Sequence, residues 1–413
     1  MQILRIQGGK PLEGTIPISG AKNGALPVLA ASVMCSGVCR VENCPDLTDV
    51  DAALEILEYL GAKCTRHGTG VTVDPTGISR WDIPRNLMSR MRGSVFFLGP
   101  LMARFGGCGL ASPGGCPLGE RPVDYHVMGL KAMGARFDSG VDGLSCVGVL
   151  RGAEIILPFP SVGATENLLM AALGAQGQTV IRNAAREPEI VCLCDFLRSG
   201  GCRIYGDGTG VIRVLPGLPK EAVVELIPDR METATYLCAA AAAGGRVELR
   251  NCCPGHLEAV LRVLKQSGCV IARSEHTLTI YADGLISPGL IQTGPYPAFP
   301  TDAQAPMMAA LLRAKGECVI RETVFSQRMH HIPALQSMGG RIVLRGGQAV
   351  ITGAGRLYGG KVTATDLRGG AALVVAALSA SGETEISGLE HLFRGYEDIA
   401  GKLRAVGAQI YTG

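Results

Sequence analysis

The sequence predicts an α/β protein of two domains, each built from three repeated units with buried helices and outer sheets, and three observations lead there. A short pattern, helix then glycine then a polar-to-apolar strand, recurs at Gly61, Gly134, Gly201, Gly268, Gly339 and Gly407, about 70 residues apart. An alanine-rich apolar run closed by glycine recurs on the same period at Gly37, Gly106, Gly177, Gly245, Gly316 and Gly382. Runs such as 168–174, 236–243 and 371–378 are apolar on every side, which suits helices enclosed by protein rather than lying on its surface.

Each unit reads as strand, helix, strand, helix, strand, strand. In the first copy Thr48 is expected to cap a helix, with Asp51 completing a capping box and Ala53, Leu57 and Leu60 recurring at helical spacing. Gly61 then stops the helix. Lys63 to Thr65 and Val71 to Val73 read as strands around the turn His67-Gly68-Thr69-Gly70. Six such units could stack as one solenoid, but a period of about 70 residues is long for that class, and two closed domains of three units fit better. A chain of 413 residues is long enough for two cores. The boundary candidate in the residues themselves is Ile227-Pro228-Asp229-Arg230.

A hydrophobic content of 47%, a charged content of 18% and 57 glycines describe a compact, turn-rich protein with little room for disorder. The net charge of +3 is too small to demand a nucleic-acid or membrane partner. Fifteen scattered cysteines without a Cys-x-x-Cys pair indicate neither a disulfide framework nor a zinc ribbon. The opening residues lack the apolar core of a signal peptide, and no apolar stretch reaches the ~18 residues of a membrane span. A soluble, cytoplasmic protein with reduced thiols is therefore expected.

The segment Gly114-Gly-Cys-Pro-Leu-Gly-Glu-Arg-Pro-Val-Asp124 carries the most chemistry. Its glycines and prolines cannot continue a helix or a central strand, so Cys116 is expected in an exposed irregular loop. Arg121 supplies a permanent cation that favours thiolate. The plainer reading, a buried small hydrophobe, holds for most cysteines; the loop context separates Cys116 from the other 14. Lys22 and Asn23 occupy a small-residue turn before a buried helix, where an ammonium and helix-start amides suit an anion. Arg92 precedes an apolar run, and Arg394 lies in a loop before the last helix. Asp302 follows two prolines, where a helix cap is the plain explanation and a general base the functional one. Asp366 and Arg368 stand ahead of another buried helix. Ser161 and Gly163 could cradle a ligand, although capping by Ser161 or Thr165 explains that segment as simply.

In their order along nearly the whole chain these segments resemble the UDP-N-acetylglucosamine 1-carboxyvinyltransferases, a family of enolpyruvyl transferases. The likeness runs through Gly20-Ala-Lys-Asn-Gly-Ala, Met91-Arg-Gly-Ser, the Cys116 loop, Ser161 to Asn167 and Asn183-Ala-Ala-Arg-Glu-Pro-Glu-Ile. It continues through Pro228-Asp-Arg, Pro295 to Gln304, Ala364 to Gly369 and Arg394-Gly-Tyr-Glu. The resemblance implies the inside-out α/β barrel, with residues 22–228 in one domain, residues 1–21 and 229–413 in the other, and an active site in the cleft between. It also implies transfer of the enolpyruvyl group of phosphoenolpyruvate to the 3-hydroxyl of UDP-N-acetylglucosamine, with phosphate released through a tetrahedral ketal and no metal or organic cofactor. This is the first committed step of peptidoglycan synthesis.

By the same resemblance Cys116 is the general acid and the thiol that can attach to C2 of phosphoenolpyruvate. Lys22, Arg121 and Arg394 hold the phosphate and carboxylate of phosphoenolpyruvate, and Arg368 joins them on closure. Asp302 accepts the proton of the attacking hydroxyl, while Asn23 and Arg92 orient the sugar nucleotide. Pro122, Val123, Asp124, Tyr125, Ser161, Val162, Gly163 and Val324 line it. The chain departs from the family pattern at Cys192, where aspartate is common, at Ala234-Thr235 in place of Gly-Thr, and at Phe159, where some relatives carry lysine. Two alternatives stand beside this reading: the sister enzyme acting on shikimate 3-phosphate, whose Asn-Ser-Gly-Thr and Gly-Asn-Ala-Gly-Thr signatures are absent, and a non-catalytic paralogue that binds the sugar nucleotide.

Overall fold

The computed structural model describes residues 2–111, 123–138, 143–325, 327–353 and 355–413. The chain divides into two compact units, one of Gly20–Ile227 and one of Met1–Ser19 with Pro228–Gly413. Among the described residues each unit contains three four-stranded sheets of the same design, a parallel pair at one edge continued by antiparallel strands. In the Gly20–Ile227 unit one sheet runs Ala222–Glu225, Cys39–Glu42, Gly70–Asp74, Lys63–His67. A late strand thus pairs in parallel with the first, Val224 opposite Val41.

The other unit recruits the beginning of the chain. Leu12–Pro17 lies parallel to Gly245–Arg250, and Leu4–Gln7 sits between Glu383–Ser387 and Gln409–Thr412, Leu4 opposite both Ile386 and Thr412. Strands such as Leu4–Gln7 and Ala222–Glu225 alternate buried and exposed residues, so their sheets bury one face.

The helices behave differently. Arg230–Ala243, Gln304–Leu311 and Leu367–Ser379 pack on one another and bury nearly every residue. Their alanines and glycines are what such close packing needs. In the Gly20–Ile227 unit, Leu98–Phe105 packs on Val162–Leu173, where the Gly99 amide donates to Asn167 Oδ1 at 2.7 Å. A Cβ on Gly99 would lie 2.2 Å from the Asn167 carbonyl oxygen, so only glycine fits there. Among the described residues no helix is long and apolar enough to cross a membrane.

Two local expectations meet different outcomes. Gly61 ends the helix Thr48–Leu60 with φ 115°, as a left-handed C-terminal glycine does. Thr48 does not cap that helix: it is the first helical residue, the preceding Leu47 makes no side-chain cap bond, and Asp51 pairs with Arg66 at 3.1 Å. Three asparagines share a device the periodicity does not reveal. Asn43, Asn183 and Asn251 adopt positive φ of 53° to 54°, and their side-chain amides donate to the carbonyls of Leu226, Leu157 and Ile18 at 2.8–2.9 Å. Each ties the end of one strand to the segment leaving its parallel neighbour, a position asparagine tolerates better than other side-chain-bearing residues.

Candidate active site

In the unit holding the C-terminus, the turn Thr301–Ala303 leads into the buried helix Gln304–Leu311 and carries Asp302. Asp302 is not a helix cap. Its Oδ1 accepts from Arg328 Nη1 at 2.5 Å, and its Oδ2 accepts from Arg368 Nη2 at 2.9 Å and Nε at 3.2 Å. The side chains of Arg328 and Arg368 are 7% and 5% exposed, and that of Asp302 is 23% exposed. Burial by itself would raise the Asp302 pKa, but the two guanidinium charges and their hydrogen bonds outweigh it and hold the carboxyl well below its usual range. Burial works against the charged form of Arg368, and the Asp302 charge overcomes it, pushing that pKa upward.

The arginines are themselves fixed. Asp366 caps the helix Leu367–Ser379, its Oδ1 accepting from the amides of Arg368 and Gly369 at 3.0 Å each. Arg368 Nη1 donates to Tyr396 Oη at 3.0 Å, and that hydroxyl lies 2.8 Å from Thr235 Oγ1. Since Thr235 Oγ1 donates to the Met231 carbonyl at 2.9 Å, Tyr396 is the donor of the pair. Arg328 Nη1 also reaches Thr301 Oγ1 at 3.0 Å, while among the described residues its buried Nε has no hydrogen-bond partner. The cluster thus holds one spare buried donor.

His331 lies against this cluster: a Cβ on Gly369 would be 3.1 Å from His331 Cβ. Its buried Nε2 has no partner among the described residues, and burial pushes its pKa down to about 4, against the pull of Asp366 and with help from Arg328. The folded chain therefore resists a proton that the unfolded chain accepts at ordinary histidine pKa. Between about pH 6.5 and 4 this imidazole should cost about 3 kcal/mol of stability as pH falls, and none above that window. Urea denaturation at pH 7 and pH 4.5 checks it: His331→Gln should lose less stability on acidification than the wild type, and an equal loss would refute the assignment.

In the Gly20–Ile227 unit, Lys22 and Asn23 open the helix Lys22–Ala31. Lys22 Nζ lies 3.3 Å from Asp49 Oδ2, with side chains 12% and 4% exposed. Arg92 opens the short turn Arg92–Phe97 ahead of the helix Leu98–Phe105. Val123 precedes and Asp124 and Tyr125 begin the helix Asp124–Ala132, which packs on the helix Val162–Leu173. Ser161 caps the latter, accepting from the Ala164 amide at 3.4 Å, and a Cβ on Gly163 would lie 3.5 Å from the His126 ring. The unit therefore brings Tyr125 and Ser161–Gly163 to adjacent helix starts. Cys116, Arg121 and Pro122 lie outside the described residues.

Among the remaining expected residues, Val324 follows Glu322, whose carboxylate accepts its amide at 2.8 Å. Arg394 is half-buried, two residues before Tyr396. Sequence reasoning missed Arg328, Tyr396 and Glu322 as parts of this cluster. Arg328 carries no local signal beyond a cation among half-apolar neighbours, and Tyr396 could have been taken from the Arg394-Gly-Tyr-Glu match.

A family model described as EPSP synthase (3-phosphoshikimate 1-carboxyvinyltransferase) matches residues 6–403. The enolpyruvyl transferase NikO from Streptomyces tendae has a similar structure, with a TM-score of 0.91 at 25% identity over 100% of this chain and 98% of its own. EPSP synthase from Acinetobacter baumannii shares the fold, with a TM-score of 0.75 at 20% identity over 100% of both chains. The fold is thus the α/β fold of the enolpyruvyl transferases. Proteins named UDP-N-acetylglucosamine 1-carboxyvinyltransferase are 45% identical in Synechocystis sp., over 99% of this chain and 94% of the relative, and 44% identical in Caldanaerobacter subterraneus subsp. tengcongensis, over 98% of each. This chain belongs to the UDP-N-acetylglucosamine 1-carboxyvinyltransferase family.

Proposed function

We infer that this enzyme transfers the enolpyruvyl group of phosphoenolpyruvate to the 3-hydroxyl of UDP-N-acetylglucosamine and releases phosphate. The observation that carries the reading is the identity of 41–45% to relatives of that name over 98–99% of this chain. A proton adds to the enol methylene, the sugar oxygen bonds to C2, and the ketal then loses phosphate and a methyl proton to restore the alkene.

Cys116 supplies the first proton and can bond to C2. Lys22, Arg121 and Arg394 hold the anionic groups of phosphoenolpyruvate, and Arg368 joins them. Asn23, Arg92, Pro122, Val123, Asp124, Tyr125, Ser161, Val162, Gly163 and Val324 hold the sugar nucleotide. Asp302 takes the hydroxyl proton. Gripped by two guanidiniums it is a weak base, so this role requires a substrate anion to take over some of those hydrogen bonds. The spare Nε–H of Arg328 supports that exchange.

The finer reading of the fold is the inside-out barrel, three units to a domain, supported by the recurring sheet design and the all-round burial of the central helices. The enzyme works in the cytoplasm at the first committed step of peptidoglycan synthesis, hence in cell shape and division, with fosfomycin as an alkylator of Cys116. Phosphate release from phosphoenolpyruvate tests the reading, measured separately with UDP-N-acetylglucosamine and with shikimate 3-phosphate. Turnover of the sugar nucleotide alone is expected; turnover of shikimate 3-phosphate alone would reject it, and tight binding without phosphate release would indicate a non-catalytic paralogue.

A further inference from the structure

We propose that Glu322 is a positioning residue that holds the Val324–Phe325 turn and the Asp302 ion-pair cluster in one fixed arrangement. The inference rests on the transferase reading above. Glu322 follows the strand Glu317–Arg321, immediately beyond the last paired residues of its parallel ladder, Gln292 opposite Arg321. It is 8% exposed. A carboxylate so buried needs donors, and four converge on it.

Oε1 accepts from the amides of Val324 at 2.8 Å and Phe325 at 3.0 Å, and from Thr293 Oγ1 at 2.9 Å. Oε2 accepts from Thr301 Oγ1 at 2.8 Å. The polarity of the chain follows from proton counting. Thr301 has a single hydroxyl proton; donated to Glu322, it leaves the lone pairs of Oγ1 for Arg328 Nη1 at 3.0 Å, and the same Nη1 donates to Asp302. The Arg328 guanidinium also lies 4.9 Å from the Phe325 ring centroid. One carboxylate therefore fixes the turn beside the expected sugar-nucleotide residue Val324 and, through Thr301, one of the two guanidiniums that set the base strength of Asp302.

Glutamine cannot replace it. Turned with its NH2 toward Thr301, the amide would make Oγ1 accept from both the NH2 and Arg328 and take away the acceptor that Glu322 gives the hydroxyl proton; turned the other way, it would set NH2 against two backbone amides. Thr293→Val removes one donor to Oε1, and Thr301→Val removes only the arm that reaches Arg328.

The test compares wild type with E322Q, T301V and T293V in phosphate release from phosphoenolpyruvate and UDP-N-acetylglucosamine, with circular dichroism to show that each is folded. E322Q should lose about 10²-fold in kcat/KM, the scale of a misplacement of about 1 Å, with a raised KM for the sugar nucleotide. T301V should lower kcat with little change in that KM and move the acid limb of the pH profile upward, because Asp302 is less firmly gripped. T293V should act mainly on KM. If E322Q does not fold, T301V and T293V decide on the same criteria. Variants that only melt earlier, with wild-type kcat, KM and pH limb, would overturn the inference. An inactive wild type would sink the functional reading and this inference with it, whereas an active wild type matched by all three variants would sink this inference alone.

Discussion

Asp302→Asn is expected to lower kcat by ~10²–10⁴-fold, the span typical of losing a positioned acid or base, and to destabilise the fold as well. Both effects come from one geometry. Each carboxylate oxygen of Asp302 serves a different arginine, and both arginines are more than nine-tenths buried. Asparagine offers one acceptor oxygen, so its NH2 must face a guanidinium, and two buried cations lose their shared counter-charge. Breaking a buried ion pair from one side costs ~3–5 kcal/mol. Guanidinium chloride denaturation alongside steady-state phosphate release separates the two losses. Asp302→Glu keeps the charge and should recover more stability than activity, because the longer side chain displaces the oxygens from both partners. A folded Asp302→Asn variant within tenfold of wild-type kcat would remove Asp302 from the proton-transfer role.

What the sequence discloses about this site follows the reach of local pattern. Glycine punctuation and helices apolar on all sides are local and periodic, and Gly61 and the helix Arg230–Ala243 could be read directly. Asp302 stood out because two prolines precede it, but its partners lie 26 and 66 residues further on, beyond any window that a helix or strand period spans. Thr48 misled for the opposite reason: the Thr-x-x-Asp pattern is present, but the chain enters the helix one residue earlier and leaves the hydroxyl no orphan amide to cap. The family departures at Cys192 and Ala234 are 2% and 0% exposed, so they alter packing. Thr235, by contrast, accepts the Tyr396 hydroxyl that braces Arg368.

The resemblance also assigns the acid, and Cys116→Ser is the change that tests it. A thiol with a neighbouring guanidinium can be poised near neutrality, whereas a serine hydroxyl is far too weak an acid to protonate an enol, so a ~10²–10⁴-fold fall in kcat is expected. Cys116→Asp should regain a good part of it toward lower pH, where the carboxyl carries a proton to give. The other thiols make the covalent experiment readable. Among the described residues 14 free cysteines are present, all buried or half-buried. Burial pushes Cys64, Cys146 and Cys318 up to about 12, and Cys192, Cys202, Cys252 and Cys269 up to about 11. Little thiolate exists at these positions near neutral pH, and what exists is shielded. Brief treatment with fosfomycin should therefore place one adduct on the folded protein by intact mass, at Cys116 by peptide mapping, as the thiolate opens the epoxide and the released alkoxide takes up a proton. Wild-type turnover in Cys116→Ser, or unchanged labelling of that variant, would take both the acid and the nucleophile away from this residue.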